Sequence, residues 1–219
     1  MIITIGGIKG GSGKTTVAVS LAVLLSKSYK VLLVDADKQG TSTDFAALRA
    51  DNLGDSGFTS ITLLDKQVRT EVQKLAPQYD YVVIDTGGRD TTSQRAALTI
   101  CDLYLVPFAP KSFDVWTLDQ VNQLIEETGI VNPDRLDYAI LNKTDSNQND
   151  LEEARKYIVE EGALKVLNSN LRERKAFSNG AAEGLAVTEM KRKDYKAVAE
   201  LKALFDEILA LQGQIQEVA

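Results

Sequence analysis

KGGSGKTT, residues 9–16, follows the apolar run Met1–Ile5 after a short gap. A glycine-rich turn between a strand and a helix directs consecutive backbone N–H groups into one concavity, which suits a polyphosphate. Within this turn, Lys14 places a point charge near the outer phosphates, and Thr15 offers a hydroxyl to Mg²⁺. The predicted nucleotide-binding residues of the loop are Lys9, Gly10, Gly11, Ser12, Gly13, Lys14, Thr15 and Thr16.

The start of the loop departs from the usual GxxxxGK[ST] pattern. Ile8 stands where that pattern has glycine, and a second lysine, Lys9, precedes Lys14. The string KGGSGKTT closely resembles the loop of the deviant Walker ATPases of the ParA/MinD type. The resemblance implies ATP as ligand, a homodimer with ATP sandwiched between its subunits, and catalytic roles for Lys14 and for Lys9, which would contact the nucleotide of the partner subunit. The alternative for Lys9 is an ordinary solvated loop lysine.

The composition excludes several other chemistries. The chain has 219 residues, and we expect residues 1–219 to form a single domain with a sizeable core. It has no histidine, which excludes histidine bases and histidine metal ligands, and its one cysteine, Cys101, cannot form an internal disulfide. We therefore expect a reducing compartment and a core position for Cys101. No apolar run approaches about 18 residues and no signal pattern opens the chain, so we expect a soluble, cytoplasmic protein with no membrane partner.

Apolar runs alternate with helical patterns along the chain, which predicts βα units and a mainly parallel sheet. The predicted strands are Ile2–Ile5, Val31–Val34, Tyr81–Ile84, Leu103–Val106 and Leu136–Leu141, with short ones near Phe58–Thr62 and Val166–Leu167. The predicted helices are Lys14–Lys27, Lys66–Leu75, Thr91–Thr99, Val115–Glu127, Asp150–Glu161 and Tyr195–Gln212. Together with the phosphate loop, this pattern indicates an α/β fold: a three-layer P-loop NTPase with a mainly parallel twisted sheet flanked by helices.

Three aspartates follow two of these strands directly. Asp35 and Asp37 come after Val31–Val34, and Asp85 comes after Tyr81–Ile84. Ligands of open parallel sheets bind beyond the carboxyl ends of the strands, where the phosphate loop also lies. The three acids are therefore expected to converge on the phosphates.

The charges of these acids suggest their roles. Asp85 resembles the Walker B acid, which holds Mg²⁺ through water while Thr15 binds it directly. In the family that the chain resembles, the second acid of the DxD sequence orients the attacking water and the first lies nearer the metal. This implies a catalytic role for Asp37 and a metal role for Asp35. The alternative for Asp35 is a cap or loop anchor.

Two further segments border the predicted site. Residues 86–90, TGGRD, carry glycines next to Asp85 and predict a switch loop, with a plain turn as the alternative. Residues 142–145, NKTD, match the guanine-reading motif of GTPases. The resemblance implies instead that Asn142 contacts adenine. We therefore expect ATP, and a GTPase switch stays as the alternative.

Segment 165–196 has eight basic and four acidic residues in a chain whose formal net charge is −6. Segregated positive charge on an acidic protein suggests a polyanion partner, although a solvated face with salt bridges is the alternative. Residues 171–187, LRERKAFSNGAAEGLAV, also resemble the part of ParA-type partition ATPases around which basic residues bind non-specific DNA. The predicted DNA-binding residues are Arg172, Arg174, Lys175, Lys191, Arg192, Lys193 and Lys196.

The resemblance spans nearly the whole chain and implies an ATP-dependent positioning protein. Its ATP-bound dimer would coat the nucleoid, a ParB-like or other adaptor protein would stimulate hydrolysis, and a plasmid or protein organelle would be the cargo. A membrane-cycling ATPase of the MinD type is a further alternative. That alternative needs a basic amphipathic helix at the end of the chain, whereas LALQGQIQEVA is polar and acidic. Trp116 is either a core residue or part of a partner-facing surface.

Overall fold

The computed structural model describes residues 1–110, 117–145 and 147–218, with side chains described to residue 213 of the last helix. The strands of the described chain are β1 (Ile2–Ile5), β2 (Val31–Ala36), β3 (Thr59–Thr62), β4 (Tyr81–Thr86), β5 (Leu103–Phe108), β6 (Leu136–Thr144) and β7 (Lys165–Arg172). They form one sheet in the order β3-β2-β4-β1-β5-β6-β7, and each neighbouring pair is parallel. This is the α/β P-loop NTPase fold that the sequence predicts, with a sheet that is parallel throughout rather than mainly.

The helices lie on both faces of this sheet. They are α1 (Lys14–Leu25), α2 (Thr41–Leu53), α3 (Gln67–Leu75), α4 (Thr92–Leu98), α5 (Leu118–Gly129), α6 (Gln148–Glu161), α7 (Lys175–Ala181) and α8 (Tyr195–Val218). One face packs on α1, α2 and α8, and the other packs on α3, α4, α5 and α6. Strand residues alternate between the two: Leu33 joins the first core, whereas Leu32 and Val34 join the second.

Helix α1 explains why the phosphate loop occupies the middle of the molecule. Its residues from Val17 to Leu25 are all buried, as expected for a helix that is apolar on every side. Strand β1, which precedes it, pairs with both β4 and β5. The loop between β1 and α1 therefore leaves the centre of the sheet at its carboxyl edge.

Most predicted elements are confirmed, with differences at their ends. Strands β2 and β4 continue through Asp35 and Asp85, because ladder hydrogen bonds extend to the edge where these acids lie. The prediction missed α2 and α7 altogether. The predicted start of one helix at Val115, and Trp116, lie outside the described residues, and α5 begins at Leu118. Cys101 is buried in the core, as predicted, and burial raises the pKa of its thiol to about 12.

Candidate nucleotide site

The three acids lie at the carboxyl edge of neighbouring strands. Asp35 of β2 pairs in register with Asp85 of β4, and Asp85 pairs with Ile5, the last residue of β1. Both carboxylates are almost fully buried, at 0% and 1% exposure. Asp35 and Asp85 therefore lie side by side at the edge from which the phosphate loop leaves the sheet, and their convergence on bound phosphates stays a prediction.

A cavity of about 990 Å³ opens at this edge. It brings together Lys14, Asp37 and residues 86–90, which follow Asp85. Its walls are Gly10, Gly11, Gly13, Lys14, Thr15, Thr16, Ala36, Asp37, Lys38, Gln39, Thr41, Asp65, Thr86, Gly87, Gly88, Arg89, Asp90, Thr91, Thr92, Ser93 and Lys143. A volume of this size is within the range of small-molecule and cofactor sites.

The two lysines of the phosphate loop are linked. The Lys14 side chain is buried, and its Nζ donates to the carbonyl oxygen of Lys9 at 2.7 Å. Buried Ser12 also turns its Oγ toward that carbonyl, at 3.5 Å. The ammonium of Lys14 thus lies inside the loop, where a phosphate oxygen can take the place of the carbonyl as its acceptor.

The end of β6 holds the loop from the other side. Asn142 Nδ2 donates to the carbonyl oxygen of Ser12 at 2.7 Å, and Lys143 Nζ donates to that of Gly11 at 2.7 Å. Gly13 has a left-handed φ of 94°, and a Cβ there would collide with the Asn142 amide, so glycine is required. The structure thus places Asn142 against the phosphate loop, and it shows a contact by Lys143 that the sequence analysis missed.

Asp35 anchors the chain that follows β2. Its Oδ1 accepts from the N–H of Asp37 at 3.1 Å, and its Oδ2 accepts from the N–H of Thr43 in α2 at 2.9 Å. This matches the alternative of a loop anchor, since both carboxylate oxygens bind backbone. The metal role of Asp35 stays a prediction.

Asp85 has a different environment. Its Oδ1 is buried with no hydrogen-bond partner among the described residues, and the same holds for the hydroxyl of Ser42 beside it. Burial, together with the negative charge of Asp35, raises the pKa of Asp85 to about 7, although the hydroxyls of Thr15 and Ser42 and the charge of Lys14 act in the opposite direction. A buried carboxylate oxygen without a partner is suited to a cation or its water shell.

These groups fit Mg²⁺, whose ligands are oxygen atoms and which keeps several waters or phosphate oxygens around it. The donors available are the hydroxyl of Thr15 and the carboxylates of Asp85 and Asp35. The described residues contain no group of three or more His, Cys, Asp or Glu side chains arranged for a metal ion. An ion bound here would therefore depend on the nucleotide for part of its coordination.

The loop of residues 86–90, the predicted switch loop, lies against both Asp37 and the phosphate loop. A Cβ at Gly87 would lie 3.2 Å from the Asp37 carboxyl, and a Cβ at Gly88 would lie 2.8 Å from the backbone of Gly10. Real Cβ atoms do not approach backbone so closely, so the glycine at 88 allows the two loops to be in direct contact. A group arriving at the phosphate loop would act on residues 86–90 immediately.

Gln94 of α4 is a further site residue that sequence reasoning missed. It is fully buried, and its Oε1 accepts from the N–H of Gly7 at 3.0 Å and from the hydroxyl of Thr86 at 2.8 Å. It thereby joins the start of the phosphate loop to the end of β4. No sequence signal identified Gln94, because the burial of its amide and its contact with Gly7, 87 positions away, depend on the fold.

Residues 3–187 match the model of the CobQ/CobB/MinD/ParA nucleotide binding domain family. The chain belongs to this family. Family membership agrees with the phosphate loop, the paired acids and the all-parallel sheet described above.

Similar proteins of the ParA/MinD family include positioning and partition proteins. The carboxysome distribution protein A of Halothiobacillus neapolitanus is 27% identical over 94% of this chain and 95% of its own length. In fold, McdA of Cyanothece has a TM-score of 0.77 at 19% identity, with 95% of this chain and 99% of that one covered. A putative plasmid partition protein of Borrelia burgdorferi bound to AMPPNP has a TM-score of 0.76 at 24% identity, covering 95% and 98% of the two chains.

The basic segment of this ParA/MinD-family chain runs from β7 through α7 and the loop before α8 to the start of α8. Its members differ in their contacts. Arg174 is held by Glu200 at 2.6 Å and lies 3.7 Å from Asp194, and Arg172 is half-buried in β7. The other predicted DNA-binding residues are exposed, and none of them joins a salt bridge within the described chain: Lys175, Lys191, Arg192, Lys193 and Lys196. No described helix is long and apolar enough to cross a membrane.

Proposed function

We propose that this chain is a Mg²⁺-dependent ATPase that dimerises around ATP, binds non-specific DNA and positions cargo. The observation that carries the proposal is the 990 Å³ cavity at the carboxyl edge, where Lys14, Asp37 and the switch loop meet. Membership of the MinD/ParA domain family supports nucleotide as the ligand. The similarity to carboxysome distribution protein A over 94% of the chain supports positioning as the task.

The chain's own groups suggest how hydrolysis proceeds. The backbone N–H groups of residues 10–16 and the Lys14 ammonium bind and orient the phosphates. Asp37, half-buried at the cavity wall, orients the attacking water and accepts its proton. Thr15, Asp85 and Asp35 would hold Mg²⁺, which would supply positive charge to neutralise the phosphate oxygens.

Lys9 supports the dimer proposal through its position. Its backbone carbonyl accepts from Lys14 Nζ, and the residue is half-buried next to exposed Gly10. From here its ammonium would reach the nucleotide of a second copy. ATP would then hold two subunits together, and its hydrolysis would separate them.

The exposed lysines and arginine of the basic segment support DNA as the partner. They lie on a chain with a net charge of −6, and their exposed side chains are accessible to a polyanion. In a two-fold dimer the patch doubles, and phosphate contacts add affinity without sequence preference. Association with the nucleoid, cargo such as a plasmid or a protein organelle, and a ParB-like or other adaptor protein that stimulates hydrolysis complete the proposal.

The first test measures binding to a non-specific DNA duplex by fluorescence anisotropy. It compares the protein without nucleotide with the protein in ADP, ATP or GTP. We expect binding with ATP alone, and its loss when salt rises from about 50 to about 200 mM. Binding with GTP instead would favour the GTPase alternative from residues 142–145. No binding with any nucleotide would refute the DNA proposal, and sedimentation with anionic vesicles would then test the membrane alternative.

A further inference from the structure

Helix α2 connects the nucleotide cavity with a second cavity of about 940 Å³. Its first residue, Thr41, lines the nucleotide cavity, and its last residue, Leu53, lines the second one. Lys191 and Arg192 of the basic segment stand in the wall of that second cavity. A helix of 13 residues spans about 20 Å as one element, so α2 joins the predicted nucleotide site to the basic segment.

The first turn of α2 is attached to the buried acids. The N–H of Thr43 donates to Asp35 Oδ2 at 2.9 Å, and Ser42, fully buried, lies beside the carboxylate of Asp85. Nucleotide and a cation bound at these acids would change their charge and hydrogen bonding. Any such change acts directly on the start of α2.

The other end of α2 contacts the loop of residues 182–190, which precedes Lys191. The buried Arg49 guanidinium forms a two-pronged ion pair with Glu189, with both N–H···O distances at 2.8 Å. It also donates to the carbonyl of Gly184 at 3.0 Å, and Asn52 Nδ2 donates to that of Glu183 at 3.0 Å. These contacts join residues more than 130 positions apart in the chain.

The loop is also pressed against the helix backbone. Gly184 has a left-handed φ of 66°, and a Cβ there would lie 2.7 Å from the backbone of Arg49. Breaking a partly buried ion pair by removing one partner leaves an uncompensated charge, which is strongly unfavourable. Although burial raises the pKa of Glu189, hydrogen bonds from Arg49 and from the N–H of Ala186 outweigh it and hold that pKa below its usual value. These contacts tie the loop to α2.

We propose that Arg49 and Glu189 are positioning residues that transmit the nucleotide state, through α2, to Lys191, Arg192 and Lys193. The effect of this relay on DNA binding rests on the proposed function. The connection through α2 between the nucleotide site and the loop that carries Glu189 does not. Coupling between two sites is reciprocal, so DNA bound at the basic segment changes nucleotide affinity by the same factor.

The test compares Glu189→Gln with the unchanged protein. The dissociation constant for a non-specific duplex is measured with ADP and with AMPPNP, and the ratio of the two values reports the coupling. Coupled sites typically differ by about 5- to 150-fold, and we expect Glu189→Gln to reduce the ratio at least about fivefold while AMPPNP affinity without DNA stays unchanged. A ratio equal to that of the unchanged protein would overturn the relay.

A matched control separates the relay from general stability. Asp137→Asn breaks another buried ion pair, with Arg135 at 2.6 Å, at the amino end of β6 and away from α2. It should lower the melting temperature as Glu189→Gln does but leave the affinity ratio intact. Arg49→Lys keeps the charge and loses the two-pronged geometry, so it should reduce the ratio in the same direction even if Glu189→Gln folds poorly.

A second readout distinguishes failure of the relay from failure of the DNA proposal. Hydrogen–deuterium exchange of residues 183–193 is measured with and without AMPPNP. A nucleotide-dependent change that is lost in Glu189→Gln supports the relay even if the protein binds no duplex. No nucleotide-dependent change in the unchanged protein would refute it, whatever the DNA result.

Discussion

The carboxyl edge of the sheet, where the candidate nucleotide site lies, and the basic segment hold their charged groups in opposite ways. At the edge, Lys14, Asp35 and Asp85 are buried, and the first two are fixed by backbone hydrogen bonds. In the basic segment, Lys191 and Arg192 are exposed. Fixed, buried groups can perform chemistry that depends on geometry, whereas exposed charges contribute mainly through their number. A single substitution at the carboxyl edge should therefore have a large effect on ATP turnover or dimerisation, whereas each substitution in the basic segment should weaken DNA binding by a small step.

The largest effect is expected at Asp37. Asp37→Ala should still bind ATP and dimerise, because the phosphate loop and Lys9 are unchanged, but phosphate release should fall at least about 100-fold when the group that accepts the proton is lost. Phosphate release under steady-state conditions measures this. Asp206→Ala, an exposed acid on α8, is the control and should keep the original rate. A normal rate in Asp37→Ala would assign the water to another group.

Substitution of Lys9 tests whether the nucleotide site is complete in one subunit or needs a second copy of the chain. Lys9→Ala preserves the carbonyl that accepts from Lys14, so nucleotide should still bind, while ATP-dependent dimerisation should be abolished. Light scattering with ATP measures the dimer. Lys27→Ala, an exposed lysine after α1, should dimerise normally. If Lys9→Ala dimerises as well, the lysine has no role across the interface.

The basic segment should respond gradually to charge. Replacement of Lys191, Arg192 and Lys193 by glutamate should weaken duplex binding and flatten its salt dependence by about 0.9 in the log–log slope for each lost phosphate contact. The same reversal of Lys66, Arg69 and Lys74, which are exposed around α3, changes net charge equally and serves as the control. An unchanged slope in the first variant would place the DNA surface elsewhere.

The smallest effect concerns the protonation of Asp85 in the nucleotide-free protein. Its pKa of about 7 exceeds the usual 3.8, so the folded protein holds a proton that the unfolded chain has released, and stability falls as pH rises through this interval. Between about pH 6 and pH 8 the loss should be about 1.4 kcal/mol, or about 3–6 °C in melting temperature. Asp85→Asn should lose this dependence, and Asp55→Asn should retain it. A flat profile in the unchanged protein would show that Asp85 is already ionised.

The sequence predicted most of the sheet because buried parallel strands are short apolar runs with clear ends. It missed α2, whose residues are largely polar and whose main signal was Gly54, a left-handed C-terminal cap. The same omission concealed Thr43, Ser42 and Arg49. Because α2 was not predicted, no contact made by these residues could be predicted either.

The basic segment shows a second limit of prediction from the sequence. The count of charges was correct, but Arg174 is engaged by Glu200 and Asp194, whereas Lys191 to Lys193 are exposed. A linear sequence contains the number of charges but not their pairing, which depends on how α8 packs against β7.

The sequence by itself determined the chemistry of the edge: a glycine loop with two lysines, and acids at the ends of two strands. These features are local, since residue spacing sets the backbone geometry of a loop and the face on which a strand residue lies. The tertiary structure alone decided that Lys14 binds the Lys9 carbonyl, that Asn142 and Lys143 hold the loop, and that Arg49 meets Glu189. Apart from the first, these contacts join residues 130 or more positions apart, and only the packing of the whole sheet with its helices brings them together.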